Sequence, residues 1–242
     1  VGGQFGSGKS ALADLRKRVQ VKASNAGKIG FGTAYATRRS ATQEDVVQII
    51  ATAHNGDEVT YCAIELAAIE FTDGNGDPLA IQRKNRVRGS VSAKGDASET
   101  PGCLAPGETG YVVLEAKASG IYGKVSSVQM DVTYKKPEAE DPPTAVIPTG
   151  YASNPAGGLS ITFTNTGKVE AIIPLQAGYP MPGYLYVLLD GDETPLGFGY
   201  FTKNLTPLQA PLEPSESGSA DDPAATYEGV ASKIYAAVDY RW

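Results

Sequence analysis

One short segment of the chain has residue types and spacing suited to binding a calcium ion. Asp73-Gly-Asn75-Gly-Asp77 places hard oxygen ligands at the first, third and fifth positions of a loop. Such a loop ends in a bidentate acid at its twelfth position, where this chain has Lys84. The alternative is an ordinary hairpin turn, in which glycine accepts the positive φ of a tight turn. The sequence therefore predicts no cofactor beyond this candidate calcium ion.

The N-terminal residues match a phosphate-binding motif in their letters but not in their context. Gly3-Gln-Phe-Gly-Ser-Gly8-Lys9-Ser10 fits the P-loop pattern. A P-loop needs a buried strand leading into it, and only two residues precede Gly3 in this sequence. We therefore interpret residues 1–10 as a glycine-rich segment, flexible or docked, rather than as a nucleotide site.

Few residues are candidates for catalysis. His54 is the one histidine, so a Ser-His-Asp triad would have to use it. It stands at the end of an apolar strand beside a turn, where a surface histidine is the ordinary interpretation. The acidic residues are scattered, and no pair is singled out as a glycosidase site. We predict no catalytic residue, no zinc site and no enzymatic activity.

Cys62 and Cys103 are the two cysteines, and no Cys-x-x-Cys motif accompanies them. They lie in separate strand or loop segments of one half of the chain. We predict that they form a disulfide, which would place the protein in an oxidising compartment. Two buried free thiols are the alternative.

The net charge of −6 argues against nucleic acid as a partner. Residues 1–136 hold 17 Lys and Arg against 14 Asp and Glu, a net charge of +3. Residues 137–242 hold 4 against 13, a net charge of −9. This asymmetry predicts head-to-tail attraction between copies, or simply two soluble surfaces. No apolar run approaches the roughly 20 residues of a membrane span.

A basic patch is predicted on one strand of the first half. Its members are Arg83, Lys84, Arg86 and Arg88. The patch would suit a phosphate or an acidic partner, such as the acidic half of another subunit. No aromatic residues alternate with these cations, so single-stranded nucleic acid is not predicted. A solvated strand face is the alternative.

The elements that position these residues occur twice. Residues 69–81 and 184–198 each contain an apolar strand, an Asp/Gly turn and a Pro-Leu exit. Two further pairs follow in the same order: Leu104–Gly110 matches Leu212–Gly218, and Ser127–Tyr134 matches Ser232–Tyr240. Three matched segments in one order indicate an internal duplication.

The duplication predicts an all-β protein of two tandem antiparallel immunoglobulin-like β-sandwich domains. An N-terminal arm covers residues 1–18, and the first domain, here called module one, covers residues 19–136. A linker rich in proline and acidic residues covers 137–144, where proline stiffens the backbone. The second domain, module two, covers 145–242.

The repeated pattern resembles the FxLYD family of bacterial extracytoplasmic immunoglobulin-like domains. The matching segments of module two are Phe163–Gly167, Leu185–Asp190 and Leu212–Glu216. Those of module one are His54–Gly56, Ile69–Asp73 and Leu104–Glu108. The resemblance covers about 180 residues and departs from the family in residues 1–45 and in the insert before Leu104. It implies a fold and an extracellular or cell-surface location, and it implies no reaction.

The arm is the predicted assembly element, because an extended segment can add a strand to an open sheet edge of a neighbouring copy. The residues assigned to this role are Val1, Gly2, Gly3, Gln4, Phe5, Leu12 and Leu15. We expect a non-enzymatic structural subunit of a self-assembling surface filament, with copies of itself or another envelope protein as partner. The alternative function is a monomeric secreted or cell-surface module that binds a carbohydrate, an envelope component or a protein.

Overall fold

The structure is a computed structural model, and ten stretches of the chain are described. They are residues 16–39, 46–81, 83–93, 103–117, 120–135, 146–153, 159–168, 184–201, 212–222 and 231–238. All regular secondary structure within these stretches is β-strand, which confirms the all-β prediction. The linker at 137–144 lies outside the described residues.

Module one contains nine strands among its described residues. They are β1 (Lys17–Ser24), β2 (Ile29–Arg39), β3 (Val46–Asn55), β4 (Tyr61–Thr72), β5 (Pro78–Leu79), β6 (Arg83–Ser92), β7 (Cys103–Leu104), β8 (Thr109–Lys117) and β9 (Ser127–Lys135). Their order is β5-β4-β9-β1-β2-β3-β8-β6, with β7 paired to β4. The strand β1 begins two residues before the predicted domain boundary.

The strand β1 belongs to two parts of this sheet. Its first residues, Lys17 to Val19, pair antiparallel with β2. Its later residues, Gln20 to Ser24, pair parallel with β9. The sheet is therefore folded at β1, so that β2, β3 and β8 lie on one side of a common core and β4 and β9 lie on the other.

The core of module one follows from the alternation of side chains along its strands. On β3 and β8, residues such as Val47, Ile49 and Leu114 point inward and are almost fully buried. Phe71 of β4 and Val128 of β9 are also fully buried members of this core. Burying each large apolar side chain contributes about 1.5–3 kcal/mol, so this core accounts for the opposed arrangement of the two sheets.

Module two contains six strands among the described residues. They are β10 (Val146–Ser153), β11 (Leu159–Asn165), β12 (Tyr184–Leu189), β13 (Pro195–Phe201), β14 (Ser217–Asp222) and β15 (Lys233–Val238). They form two antiparallel sheets, ordered β10-β11-β14 and β13-β12-β15. Leu159, Ile161 and Phe163 alternate on β11 as buried residues, with half-buried polar residues between them. This is the pattern of a strand with one buried face.

The two modules share an apolar interface. The outer faces of β3 and β8 contribute Ile50, Tyr111 and Val113, which pack against the sheet that contains β12. From β12, Leu185 and Val187 lie in this interface. Their neighbours on the opposite face of β12 are also buried. The strand β12 is therefore covered on both faces.

Candidate functional site

The candidate calcium loop is a hairpin turn held by its first aspartate. The Asp73 carboxylate oxygen Oδ1 accepts hydrogen bonds from the backbone N–H of Asn75 (2.8 Å) and of Asp77 (3.0 Å). The Asp73 N–H donates to the Asp77 carbonyl, and Gly76 has a φ of +90°. An aspartate that binds the backbone two residues ahead is a common turn device. The calcium assignment stays a prediction.

Module two repeats this turn. Asp190 Oδ1 accepts hydrogen bonds from the backbone N–H of Asp192 and of Thr194, both at 2.9 Å. Glu193 has a φ of +57°, where module one has Gly76. Within the described stretches, no three His, Cys, Asp or Glu side chains are grouped closely enough to hold a metal ion. The shared chemistry of the two loops is therefore turn formation.

The Asp190 carboxylate also binds module one. Arg16, the residue before β1, donates a hydrogen bond from its guanidinium to the other oxygen of Asp190. Burial raises the pKa of Asp190, but the hydrogen bonds from Arg16, Thr194 and Asp192 outweigh it, so the net shift of the pKa is downward. The end of the arm is therefore tied to the hairpin of module two by an ionised carboxylate.

A buried asparagine closes the adjacent turn in each module. The Asn55 side-chain amide donates to the Leu104 carbonyl (2.8 Å), and its oxygen accepts from Asp57 N–H (2.9 Å). The Asn165 amide donates to the Leu212 carbonyl (2.8 Å), and its oxygen accepts from Gly167 N–H (2.9 Å). Both asparagines are fully buried. The Asn-Gly and Asn-x-Gly sequences at these positions predict turns, but they do not reveal that the asparagine side chain is buried.

A glutamate organises the matching Leu-x-Pro-x-Glu turn. Glu108 accepts a hydrogen bond from Ala105 N–H, and Glu216 accepts one from Glu213 N–H, both at 2.9 Å. The residue before each glutamate has a positive φ. The two turns are therefore the same structure, which agrees with the predicted match of Leu104–Gly110 to Leu212–Gly218.

The third predicted match begins one residue too late in module one. Ser126 N–H donates to the Thr72 carbonyl (2.9 Å), and Ser232 N–H donates to the Leu189 carbonyl (2.8 Å). Thr72 and Leu189 directly precede the two turn aspartates. Ser232 therefore corresponds to Ser126 and not to Ser127 as predicted. Sequence letters alone match Ser127 with Ser232, because the hydrogen-bond register of a strand is not visible in them.

The predicted disulfide between Cys62 and Cys103 is confirmed. It joins β4 to β7, which pair directly at these two residues and at Tyr61 and Leu104. The bond encloses a loop with a sequence separation of 41 residues. It therefore holds the turn before β8 to the opposite sheet of module one.

The predicted basic patch falls on β6. Arg83, Lys84 and Arg88 pair with β8, and the register shifts between Lys84 and Arg88. The side chains of these residues and of Arg86 lie outside the described part of the structure. The patch therefore stays a prediction.

The histidine that a catalytic triad would need lies at the surface. His54 is exposed, and its Nδ1 lies 3.2 Å from the Thr109 hydroxyl. Within the described stretches, His54 makes no hydrogen bond or ion pair to a carboxylate. The structure therefore brings no serine and aspartate to His54 there.

Polar contacts reinforce the interface between the modules. The Gln48 side chain of β3 donates to the Phe198 carbonyl (3.0 Å) and accepts from Phe198 N–H (3.4 Å). Tyr111 and Tyr235 stack across the interface with their ring centroids 5.8 Å apart. Burial raises the pKa of Tyr111 to about 12. The Gln48 side chain thus provides hydrogen-bond partners for the backbone N–H and carbonyl of Phe198 on β13. The sequence alone did not predict this contact.

An open groove runs beside the point where β1 leaves β2. Its volume is about 750 Å³. Its lining includes Arg18 and Lys22 of β1 together with Asp73 and Ser126. The groove therefore presents cations, hydroxyl groups and a carboxylate together.

The predicted arm residues Val1, Gly2, Gly3, Gln4, Phe5, Leu12 and Leu15 lie outside the described residues. Among the described stretches, no helix is long and apolar enough to cross a membrane. Comparison of the chain with protein-family models, with curated proteins and with solved structures finds no match. The resemblance to the FxLYD family therefore stays a prediction.

Proposed function

We propose that the protein is a non-enzymatic extracellular structural subunit of two tandem immunoglobulin-like modules. Copies would join head to tail through the arm into a filament or another surface assembly. The main observation behind the proposal is that the equivalent polar side chains of the two modules form hydrogen bonds that stabilise turns. Asp73 and Asp190 bind their own hairpins, and Asn55 and Asn165 bind the adjacent turns. A duplicated scaffold whose described residues repeat turns rather than a reactive site favours a building module.

The interface between the modules supports a structural role. Because β12 is buried on both faces, the modules are joined by a core as well as by the linker. Gln48 binds both backbone groups of Phe198 across this interface. Large, apolar interfaces restrict relative domain motion. A stiff subunit is suited to transmitting a fixed geometry from copy to copy.

The charge distribution supports head-to-tail contact. Residues 1–18 contain Lys9, Arg16, Lys17 and Arg18 against Asp14, a net charge of +3. Residues 137–242 carry a net charge of −9. The contact of Arg16 with Asp190 is one pairing of this kind within a single chain. Opposite charges of this size accelerate association and weaken with added salt.

The disulfide supports the proposed location. Bonds of this type persist in oxidising compartments and are rare in the cytosol of mesophiles. Cys62 and Cys103 are joined in module one. An extracellular or cell-surface assembly would keep this bond intact.

Assembly can be tested by electron microscopy with light scattering on the same sample. The full chain is compared with a variant that lacks residues 1–15, which retains Arg16 and β1. We expect concentration-dependent polymers from the full chain and monomers from the deletion variant. Circular dichroism of both proteins controls for folding. A monomeric full chain at every concentration, or equal polymer formation by the deletion variant, would contradict the proposal.

The groove beside β1 favours the second candidate function, a monomeric binding module. Its hydroxyl, carboxylate and cationic groups are those that bind a carbohydrate or an acidic envelope component. This function predicts a monomer and saturable binding that Lys22→Ala weakens. Titration calorimetry with a panel of oligosaccharides measures the affinity.

A further inference from the structure

Module one begins with a strand for which module two shows no counterpart in its described residues. The strand β10 corresponds to β2, because each pairs antiparallel with the following strand and has a register shift at the same place. Ala34 pairs with Ala51, and Tyr151 pairs with Ile161. Ala51 and Ile161 each lie four residues before the buried asparagine. Tyr151 therefore occupies the position of Ala34.

In module one, β1 covers two sheet edges at this point. Val19 pairs with Ala34 at the edge of β2. The next residue, Gln20, donates its backbone N–H to the Ser126 carbonyl, at 2.9 Å, as β1 moves beside β9. Where β1 passes from β2 to β9, its first backbone hydrogen bond is therefore accepted by Ser126, the residue before β9.

In module two, a tyrosine hydroxyl occupies this place. Ser232 corresponds to Ser126, and its carbonyl accepts a hydrogen bond from the Tyr151 hydroxyl at 2.9 Å. Tyr151 is 47% exposed, and it is the one exposed large hydrophobic side chain among those described. Ala34, in contrast, is 1% exposed beneath β1. The Tyr151 hydroxyl therefore donates to the Ser232 carbonyl, whereas in module one the backbone N–H of β1 donates to the corresponding carbonyl of Ser126.

We propose that β10 and β15, the end strands of the two sheets of module two, together accept an added strand, donated by residues 1–15 of a second copy of this chain. This inference rests on the proposed assembly and specifies its contact. A backbone N–H of the donated strand replaces the Tyr151 hydroxyl at the Ser232 carbonyl. The added strand pairs with β15 as β1 pairs with β9, which is strand addition at an edge that no described strand covers.

Strand direction favours a second copy over the same chain. In module one, β1 runs parallel to β9. Arg16 contacts Asp190, next to Leu189, which pairs with Lys233 at the start of β15. A segment of the same chain that pairs with β15 and runs directly into Arg16 would be antiparallel to β15. A parallel strand from the same chain would have to reverse its direction within fifteen residues.

The length and the apolar residues of the segment also suit this donor. Five residues of β1 pair with β9, and a donated stretch of this length would cover about 17 Å. Ten further residues reach at most about 35 Å, which allows the segment to cross between copies. The segment carries Phe5, Leu12 and Leu15 for apolar contact.

Photo-cross-linking of the full chain tests the contact. The photoreactive residue p-benzoylphenylalanine replaces Tyr151, and equal amounts of unlabelled and nitrogen-15-labelled protein are mixed before assembly. We expect cross-links between position 151 and residues 1–15, with mixed-isotope pairs showing that two copies are joined. Mass spectrometry of the digested product identifies them.

The outcomes separate this inference from the proposed assembly. Polymers without cross-links from position 151 to the arm would overturn the donor site and leave assembly standing. Cross-links of a single isotope composition would show that each arm fills its own edge and would overturn donation. A protein that forms neither polymers nor mixed-isotope cross-links would overturn both proposals.

Removal of the Tyr151 hydroxyl provides a second test, in which the critical concentration for assembly is measured. Tyr151→Phe keeps the ring and frees the Ser232 carbonyl, so we expect the critical concentration for assembly to fall about fivefold. Tyr122→Phe is the matched control, because the Tyr122 hydroxyl also donates to a strand carbonyl, that of Ala36. Equal critical concentrations in the two variants would contradict the proposal that the donated strand replaces the Tyr151 hydroxyl at the Ser232 carbonyl.

Discussion

Module one and module two use the same turns but cover their strands differently. Each has a buried asparagine beside the Leu-x-Pro-x-Glu turn and an aspartate at the head of the hairpin. Module one adds β1 and the disulfide. The described residues of module two contain neither, and its strand β12 packs against module one. The same turns are therefore combined with a different edge strand and a different covalent constraint in the two modules.

Removal of the disulfide should have the largest effect. Cys62→Ala combined with Cys103→Ala frees a loop of about forty residues, which should lower the stability of module one by about 3–4 kcal/mol. Urea denaturation measures the loss. Hydrogen exchange should show faster opening of β4 and β7 than of β11. Equal acceleration in both modules would indicate that the interface makes them unfold as one unit.

Replacement of the two buried asparagines should have the next largest effect. Asn55→Ala and Asn165→Ala each leave a buried carbonyl and a turn N–H without the amide. Each should cost about 2–3 kcal/mol, because buried polar groups lose their hydrogen bonds. Thermal denaturation of both variants checks the values. Asn75→Ala, at an exposed position, is the control, and a loss as small as that of the control would contradict the role.

Exchange of one turn residue between the modules should have the smallest effect. Gly107 has a φ of +73°, and Ser215 has a φ of +68° at the matching position. Gly107→Ser should destabilise by about 1 kcal/mol, and Ser215→Gly should stabilise by up to about 1 kcal/mol, because glycine adopts positive φ without strain. A β-carbon at Gly107 would meet nothing within 4 Å, so strain alone is measured. Effects of the same sign would refute the equivalence of the turns.

Local patterns predicted much of the fold. Alternating apolar residues and Asp/Gly turns predicted two hairpins, with turns that begin at Asp73 and at Asp190. Both hairpins are present. The cysteine pair was also predicted. The alignment of Ser232 was wrong, because register depends on the neighbouring strand rather than on sequence letters.

The candidate site was less predictable. The sequence predicted candidate sites in the Asp73 loop and in the arm. The site proposed from the structure lies at the end strands β10 and β15. The contact between Tyr151 and Ser232 joins residues 81 positions apart, and no local pattern indicates it. The apolar run Leu185–Leu189 did carry a signal, since a strand buried on both faces reads as a continuous hydrophobic stretch.

The sequence by itself determined the strand class, the repeated turns and the candidate disulfide, because these depend on backbone preferences and on the spacing of nearby side chains. The tertiary structure alone decided which surface covers the second face of β12, and how Gln48 and Tyr151 are used. Hydrophobic burial is non-directional, so an apolar face specifies that it will be covered but not by which partner. That choice is made only when distant strands are brought together.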